Sequence, residues 1–209
     1  MQNLLESIQK LKQSDIKEII DSRIKDFQQI GVKNSNEIFK ELCFCIMTAN
    51  CSAEMCMRVQ NEVDDGFLTL METDLAKRLK KVKYRFYNKR ANYIEANRKY
   101  KDNIKEIIES YESEYELRDW LVKNIKGLGY KEASHFLRNV GFNNFAIIDF
   151  HIIDLLINNQ LLDKKPKSLS KSKYLEIESI LKKIANKMQL NLGELDLYLW
   201  FMETGKILK

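Results

Sequence analysis

The sequence predicts an all-α fold, and three observations carry the prediction. Gly makes up only 7 of the 209 residues and Pro only 1, which leaves few of the residues that build hairpins and tight sheet turns. Apolar residues recur at three- and four-residue spacing rather than in alternation. Polar capping residues precede several of those runs. With 44% hydrophobic and 31% charged residues, the chain can bury a substantial core, so disorder as its overall state is excluded.

The helices follow in order. Leu4, Leu5, Ile8 and Leu11 mark a first amphipathic helix, and Ile16, Ile19, Ile20, Ile24 and Phe27 mark a second after Ser14-Asp15. Asn34 and Glu37 have the spacing of a capping box, and Ile38, Phe39, Leu42, Cys45 and Ile46 then predict a central, buried helix ending near Asn50. A turn follows at Asp64-Asp65-Gly66. Trp120, Leu121 and Ile125 lead into a glycine-bearing turn, and Asp149 opens a helix through Ile152, Ile153, Leu155 and Leu156. Pro166 marks a loop, a helix starting at Ser170 or Ser172 runs through Ile177, Ile180, Leu181 and Ile184, and Leu195 to Phe201 form the last. No repeat or flexible linker interrupts the chain. We expect one unit over 1–209, with subdomains of 1–60 plus 150–209 and of 61–149, the second containing a helical hairpin over 119–137.

Charge and cysteine usage bound the function. Lys plus Arg number 35 against 30 Asp plus Glu, a formal charge of +5, which matters only where it is concentrated. It is concentrated between Ala76 and Lys105, where twelve Lys and Arg stand against only Glu95 and Asp102. Such a run reads either as a solvated helix face or, because Tyr84, Phe86, Tyr87 and Tyr93 interleave with the bases, as a surface that meets phosphates and nucleobases. The four cysteines, Cys43, Cys45, Cys51 and Cys56, fall in one fourteen-residue window. Their spacings match no zinc or iron–sulfur pattern, and they read as buried thiols of a helical core segment. His135 and His151 lack matching ligands and read as structural. No signal pattern and no bilayer-length apolar stretch is found, so a cytoplasmic protein without a membrane partner is expected.

Two short motifs carry chemistry. In Ile125-Lys126-Gly127-Leu128-Gly129-Tyr130-Lys131-Glu132, two glycines enclose an apolar residue between two helices. Such a turn can simply connect helices, or its free amides and the following helix dipole can bind a phosphate. In Ala146-Ile147-Ile148-Asp149-Phe150-His151, an apolar triplet ends at a lone carboxylate. Asp149 can cap the helix it opens and also serve chemistry. Lys131 and Asp149 are separated by eighteen residues.

A G-h-G-x-K hairpin followed at that distance by an aspartate is the pattern of the helix-hairpin-helix DNA glycosylase superfamily, which the chain resembles at Gly127, Gly129, Lys131 and Asp149. More narrowly, it is similar to the small archaeal and bacterial 8-oxoguanine DNA glycosylase/lyase class. That likeness runs through Phe39–Cys45, Thr48-Ala49-Asn50, Lys131–Asn139, Ala146–Asp149, Leu195–Trp200 and Gly205-Lys206. Two departures are informative. Lys126 stands where many superfamily members carry proline, which should loosen the turn and add a phosphate-facing charge. The C-terminal four-cysteine cluster of endonuclease III-like members is absent, which argues against the pyrimidine-repair branch.

The resemblance implies a base excision repair enzyme, both glycosidase and lyase, of two helical subdomains with the hairpin and the aspartate at the cleft between them. Its partner would be double-stranded DNA containing 8-oxoguanine or abasic sites, and it would act as a monomer, with no cofactor and no catalytic metal. Lys131, near a helix N-terminus and among other bases, would act as a neutral amine on the sugar C1′, and Asp149 would stabilise the developing charge or move a proton. The terminal carboxylate of Lys209 would enter the base pocket. Trp200 and Phe86 would stack on the flipped base or fill its gap, although Trp200 also fits plain core packing. Gly127, Gly129 and Arg85 would hold the backbone. Asn50 would enter the DNA near the orphaned base, or merely terminate a helix. Two alternatives stay open at this point: a glycosylase for another damaged base, and a non-catalytic hairpin module in which Lys131 only contacts phosphate.

Overall fold

A computed structural model of the protein describes residues 1–209 and contains helices and turns but no strand. The helices are α1 (Gln2–Lys12), α2 (Ile16–Gly31), α3 (Ser35–Thr48), α4 (Ala53–Val63), the single turn α5 (Gly66–Thr69), α6 (Glu72–Lys81) and α7 (Tyr87–Asn97). A 3-10 turn at Arg98–Tyr100 precedes α8 (Ile104–Glu109), α9 (Glu114–Asn124), α10 (Tyr130–Asn139), α11 (Phe150–Asn158), α12 (Lys171–Met188) and α13 (Leu192–Thr204). The all-α prediction holds throughout. No helix is long and apolar enough to cross a membrane.

Side-chain caps set several of the starts. Asn34 Oδ1 accepts the Glu37 amide at 3.0 Å, as the spacing predicts, but the Glu37 carboxylate does not complete the box; it pairs with Lys40 at 2.5 Å. Lys40 also reaches Asp64 at 2.8 Å and Asp65 at 3.0 Å, which fixes the turn before α5. Ser170, rather than Ser172, caps α12 by accepting from the Lys173 amide. Asn191 and Glu194 form a full reciprocal box at α13, so two amides that would otherwise lack partners are satisfied there.

The chain divides into two compact units, one of residues 1–29 with 141–209 and one of residues 30–140. In the second unit α3 is buried from Ile38 through Thr48, and α4, α5, α7, α8 and α10 pack against it. A helix buried on nearly every side is stable only when surrounded, with its polar members Lys40 and Glu41 paired. Phe44 of α3 meets the His135 ring edge-on at 5.5 Å. Below that contact the Asn139 amide donates to Glu41 Oε1 at 2.7 Å, and Gln60 donates to Glu41 Oε2 at 3.1 Å. In the first unit α12 and α13 pack on α1 and α11 on α13. Lys12 donates to the Met188 carbonyl at 2.6 Å, where a cation complements the C-terminus of α12.

This division differs from the one expected from sequence in where α3 and α4 belong. The sequence pattern groups residues 30–60 with the terminal helices, whereas in the structure α3 packs on α7, α8 and α10, and α4 packs on α3 and α6. Amphipathic periodicity shows that a face is buried but does not name what covers it.

Phe44 lies wholly buried between α3 and α10. Phe44→Ala should cost about 3–5 kcal/mol in urea unfolding, with the loss visible at unchanged m-value.

Candidate active site

The hairpin is set by one close approach. Gly127 has φ +94, and a Cβ there would lie 2.3 Å from Tyr93 Cδ2, so only glycine fits both the conformation and the space. Gly129 differs: its φ is −98, and a Cβ would meet only the flexible Glu132 carboxylate at 3.1 Å. The turn is gripped by Asn97, which is buried at the end of α7. Its Nδ2 donates to the Lys126 carbonyl and its Oδ1 accepts the Lys126 amide, both at 2.9 Å. The Lys126 ammonium bonds to Asn92 Oδ1 at 2.7 Å and lies over the Tyr93 ring. Lys126 therefore braces the turn it was expected to loosen.

Lys131 occupies the first turn of α10 with its side chain 25% exposed. The helix is buried from Ala133 to Asn139, so the residue that bears the amine is carried on a rigid element. The sequence placed Lys131 among bases, but the charged neighbour given by the structure is a carboxylate, with Glu132 Oε1 3.7 Å from Nζ. The other Glu132 oxygen accepts the Gly129 amide at 3.1 Å. Lys131 also lies close enough to the Cys56 thiol of α4 to act on it electrostatically.

The basic run is not a uniform surface. Lys77, Arg78, Lys80, Lys81, Lys83, Arg85, Lys89 and Lys99 are exposed; Arg78, Lys81 and Lys83 line, with Arg58 and Glu62, an open cleft of about 330 Å³. Tyr84 and Arg90 are buried. Tyr84 donates to the Met47 carbonyl at 2.6 Å, and Arg98 donates to the carbonyls of Phe67, at 2.9 Å, and Leu70. These three are structural, because the helices turn them toward backbone carbonyls of α3 and α5 that need donors.

Arg90 organises this face. It donates to the Ala49 carbonyl at 2.9 Å, and its guanidinium lies 5.7 Å from the Phe86 ring and 5.5 Å from the Tyr93 ring. Through these contacts one side chain connects the end of α3, the start of α7 and the ring beneath Gly127. Phe86 is half-exposed and also carries Arg85 at 4.8 Å. Asn50 follows the end of α3 with φ +60 and is exposed; asparagine tolerates this left-handed conformation, so it terminates the helix and still projects its amide outward. Gly127, Lys131, Asn50, Arg85 and Phe86 thus all lie in the 30–140 unit.

Asp149, Trp200 and Lys209 lie in the other unit. Asp149 caps α11, and Oδ1 accepts both the His151 amide at 2.9 Å and the Ile152 amide at 3.1 Å. Oδ2 accepts nothing and stays available. The extended segment before it is held from two helices. Tyr174 donates to the Ala146 carbonyl at 2.8 Å and accepts the Ile148 amide at 3.3 Å, while Asp196 Oδ1 accepts the Ile147 amide at 2.7 Å. Sequence reasoning missed Tyr174, Asp196, Asn97 and Arg90 as positioning groups. Trp200 is half-exposed with the His151 ring edge-on at 5.4 Å, which excludes full burial in the core. His151 serves Asp149 through its backbone amide, not its ring. Lys209 is half-buried, unlike a frayed terminus.

An all-α chain carrying this hairpin, lysine and capping aspartate has the architecture of the helix-hairpin-helix glycosylases. The family model described as 8-oxoguanine DNA glycosylase matches residues 20–190. The 8-oxoguanine DNA glycosylase/AP lyase of Methanocaldococcus jannaschii is 55% identical over 206 residues, with 99% of both chains covered. That of Korarchaeum cryptofilum is 51% identical over 207 residues, covering 99% of this chain and 98% of its own. Two crystal structures are similar throughout. The M. jannaschii enzyme in complex with a 15mer DNA containing 8-oxoguanine gives a TM-score of 0.96 at 54% identity, covering 99% of both chains. The Thermotoga maritima 8-oxoguanine DNA glycosylase gives 0.94 at 38% identity, covering 100% of this chain and 99% of that one. The chain belongs to the 8-oxoguanine DNA glycosylase family.

The unequal roles of the two glycines give a paired expectation. Gly127→Ala should destabilise the protein by at least about 2 kcal/mol, whereas Gly129→Ala should change stability by under about 1 kcal/mol; denaturant titration of the two variants checks this.

Proposed function

We propose that the protein is a bifunctional repair enzyme that flips 8-oxoguanine out of duplex DNA, excises it, and nicks the strand 3′ to the resulting abasic site. The observation that carries this reading is Lys131, partly exposed on the first turn of an otherwise buried helix directly after the glycine hairpin, in a chain similar to such enzymes from end to end.

The lesion must leave the base stack before an amine can reach its sugar, at a cost of a few kcal/mol. The hairpin amides, Arg85 and the exposed lysines of α6 and α7 hold the backbone meanwhile, and Asn50 enters the duplex near the orphaned base. Phe86 and Trp200 supply aromatic surface for the flipped base. The Lys209 carboxylate accepts the N7–H that 8-oxoguanine has and guanine lacks.

Lys131 Nζ attacks C1′ as the N-glycosidic bond breaks and the base departs with the bonding electrons, taking up a proton. The sugar opens to a Schiff base with Lys131. Loss of a C2′ proton then expels the 3′ phosphate, and water releases the enzyme. Asp149 Oδ2, unbonded within the protein, stabilises the positive charge that develops on the sugar, while Oδ1 keeps α11 capped. The work is done by a monomer on chromosomal DNA, in the cytoplasm and at the nucleoid.

Single-turnover assays on duplexes carrying one 8-oxoguanine test the reading. Lys131→Gln should abolish excision and nicking while retaining duplex affinity within a few-fold. A large loss of affinity with a weaker salt dependence would instead identify Lys131 as a phosphate contact. Asp149→Asn retains an oxygen for the cap, so excision should fall by about 100-fold or more while stability changes by less than about 1 kcal/mol; matched losses of both would mean that Asp149 only caps α11. Extending the chain beyond Lys209 should block excision of 8-oxoguanine and spare nicking at a preformed abasic site. Unimpaired excision would contradict the pocket role of the terminal carboxylate.

A further inference from the structure

The cysteine cluster is not uniformly inert. Cys43, Cys45 and Cys56 are buried, but Cys51 is half-exposed and lies outside the helices. Its position relative to Cys56 is defined by the cap of α4. Ser52 is the N-cap and accepts the Met55 amide at 3.3 Å, which makes Cys51 the residue before the cap and Cys56 the fourth residue of the helix. Those two positions meet side by side at a capped helix start. Each thiol acts on the ionisation of the other, as neighbours at those positions do.

The surroundings favour a thiolate at the outer member. Titratable and charged groups of several elements act on the pair: Cys45 of α3, Arg90 of α7, Lys131 of α10, and the Tyr84 hydroxyl. The Cys56 thiol beside Cys51 lowers the Cys51 pKa to about 7; the Ser52 amide and the Arg90 charge act in the same direction, against partial burial. Cys56 is pushed the other way, by Cys51 and by burial, so it keeps its proton. A half-exposed thiolate beside a protonated partner is the arrangement of a reactive cysteine with its resolving cysteine.

We propose that Cys51 and Cys56 form a peroxide-reactive dithiol, with Cys51 as the attacking thiol and Cys56 as the resolving one. The Cys51 thiolate attacks a hydroperoxide oxygen, the O–O bond breaks, and the departing oxygen leaves as water or alcohol once protonated. Cys51 is then a sulfenic acid. The Cys56 sulfur attacks that sulfur, the S–S bond forms, the S–O bond breaks, and the Cys56 proton leaves with the hydroxyl as water. Two thiols are oxidised to a disulfide and one peroxide is reduced. The link ties the turn after Asn50 to α4, on the face that carries Lys131. The oxidant is of the class that generates 8-oxoguanine, so the modification arises under the conditions that produce the lesion.

The test reads covalent state and is independent of DNA cleavage. The full-length reduced protein is treated natively with stoichiometric hydrogen peroxide, alkylated, and mapped by mass spectrometry. Loss of two hydrogens with a Cys51–Cys56 linked peptide is expected, absent in Cys51→Ser. In Cys56→Ser a sulfenic acid should be trapped at Cys51 by a 1,3-dione. Because Cys56 is buried and its variant can fail to fold, alkylation of the wild type is followed against pH as well. Cys51 should react first among the four, with a midpoint near pH 7. First reaction at Cys43 or Cys45, a midpoint near the ordinary thiol value of about 8.5, or a persistent Cys51 sulfenic acid in the wild type would each overturn the proposal.

Discussion

The face that carries Lys131 depends on a buried cation without a counter-ion. Arg90 is 6% exposed, no carboxylate pairs with it, and its Nε has no partner. Burying a guanidinium is costly unless its donors and charge are answered. Here the answer comes from the Ala49 carbonyl and two aromatic faces. Because one of those groups ends α3 and the other two belong to α7 and its cap, satisfying one side chain fixes where α3 ends, where α7 begins and where Tyr93 stands. Tyr93 in turn leaves room at Gly127 for no side chain. The same charge adds a smaller contribution to the thiolate at Cys51, behind those of the Cys56 thiol and the Ser52 amide.

The two units solve a similar problem of presentation in different ways. Lys131 is positioned by a helix whose remaining length is sealed against α3, so its backbone cannot move without breaking the Asn139–Glu41 and Phe44–His135 contacts. Asp149 is positioned by an extended segment, which has no internal hydrogen bonds of its own. Its amides and carbonyls must be met from elsewhere, and Tyr174 and Asp196 meet them. The two oxygens of the Asp149 carboxylate are therefore unequal: Oδ1 holds the helix start, and Oδ2 carries no bond within the protein.

Much of this was legible in the sequence because the signals were local. Gly127, Lys131 and Asp149 stand at fixed offsets in short motifs whose physical demands, a positive φ and a helix start, are written within a few residues. What was not legible depended on distant partners. Asn97 meets Lys126 across 29 residues, and Asp196 meets Ile147 across 49; neither residue carries a mark of that role. The basic run misled at Tyr84, Arg90 and Arg98, since charge order along a chain does not say which cations turn inward. The boundary between the units was misplaced for a related reason, because an apolar stripe on α3 looks the same whichever helices cover it.

The proposed chemistry requires the hairpin lysine to be a nucleophile. The direct measurement is borohydride trapping on a duplex carrying a single 8-oxoguanine, followed by peptide mapping of the adduct. One covalent protein–DNA species is expected, attached at Lys131 and absent in Lys131→Gln. An adduct mapping to another lysine, or base release by the wild type with no trappable species, would contradict it.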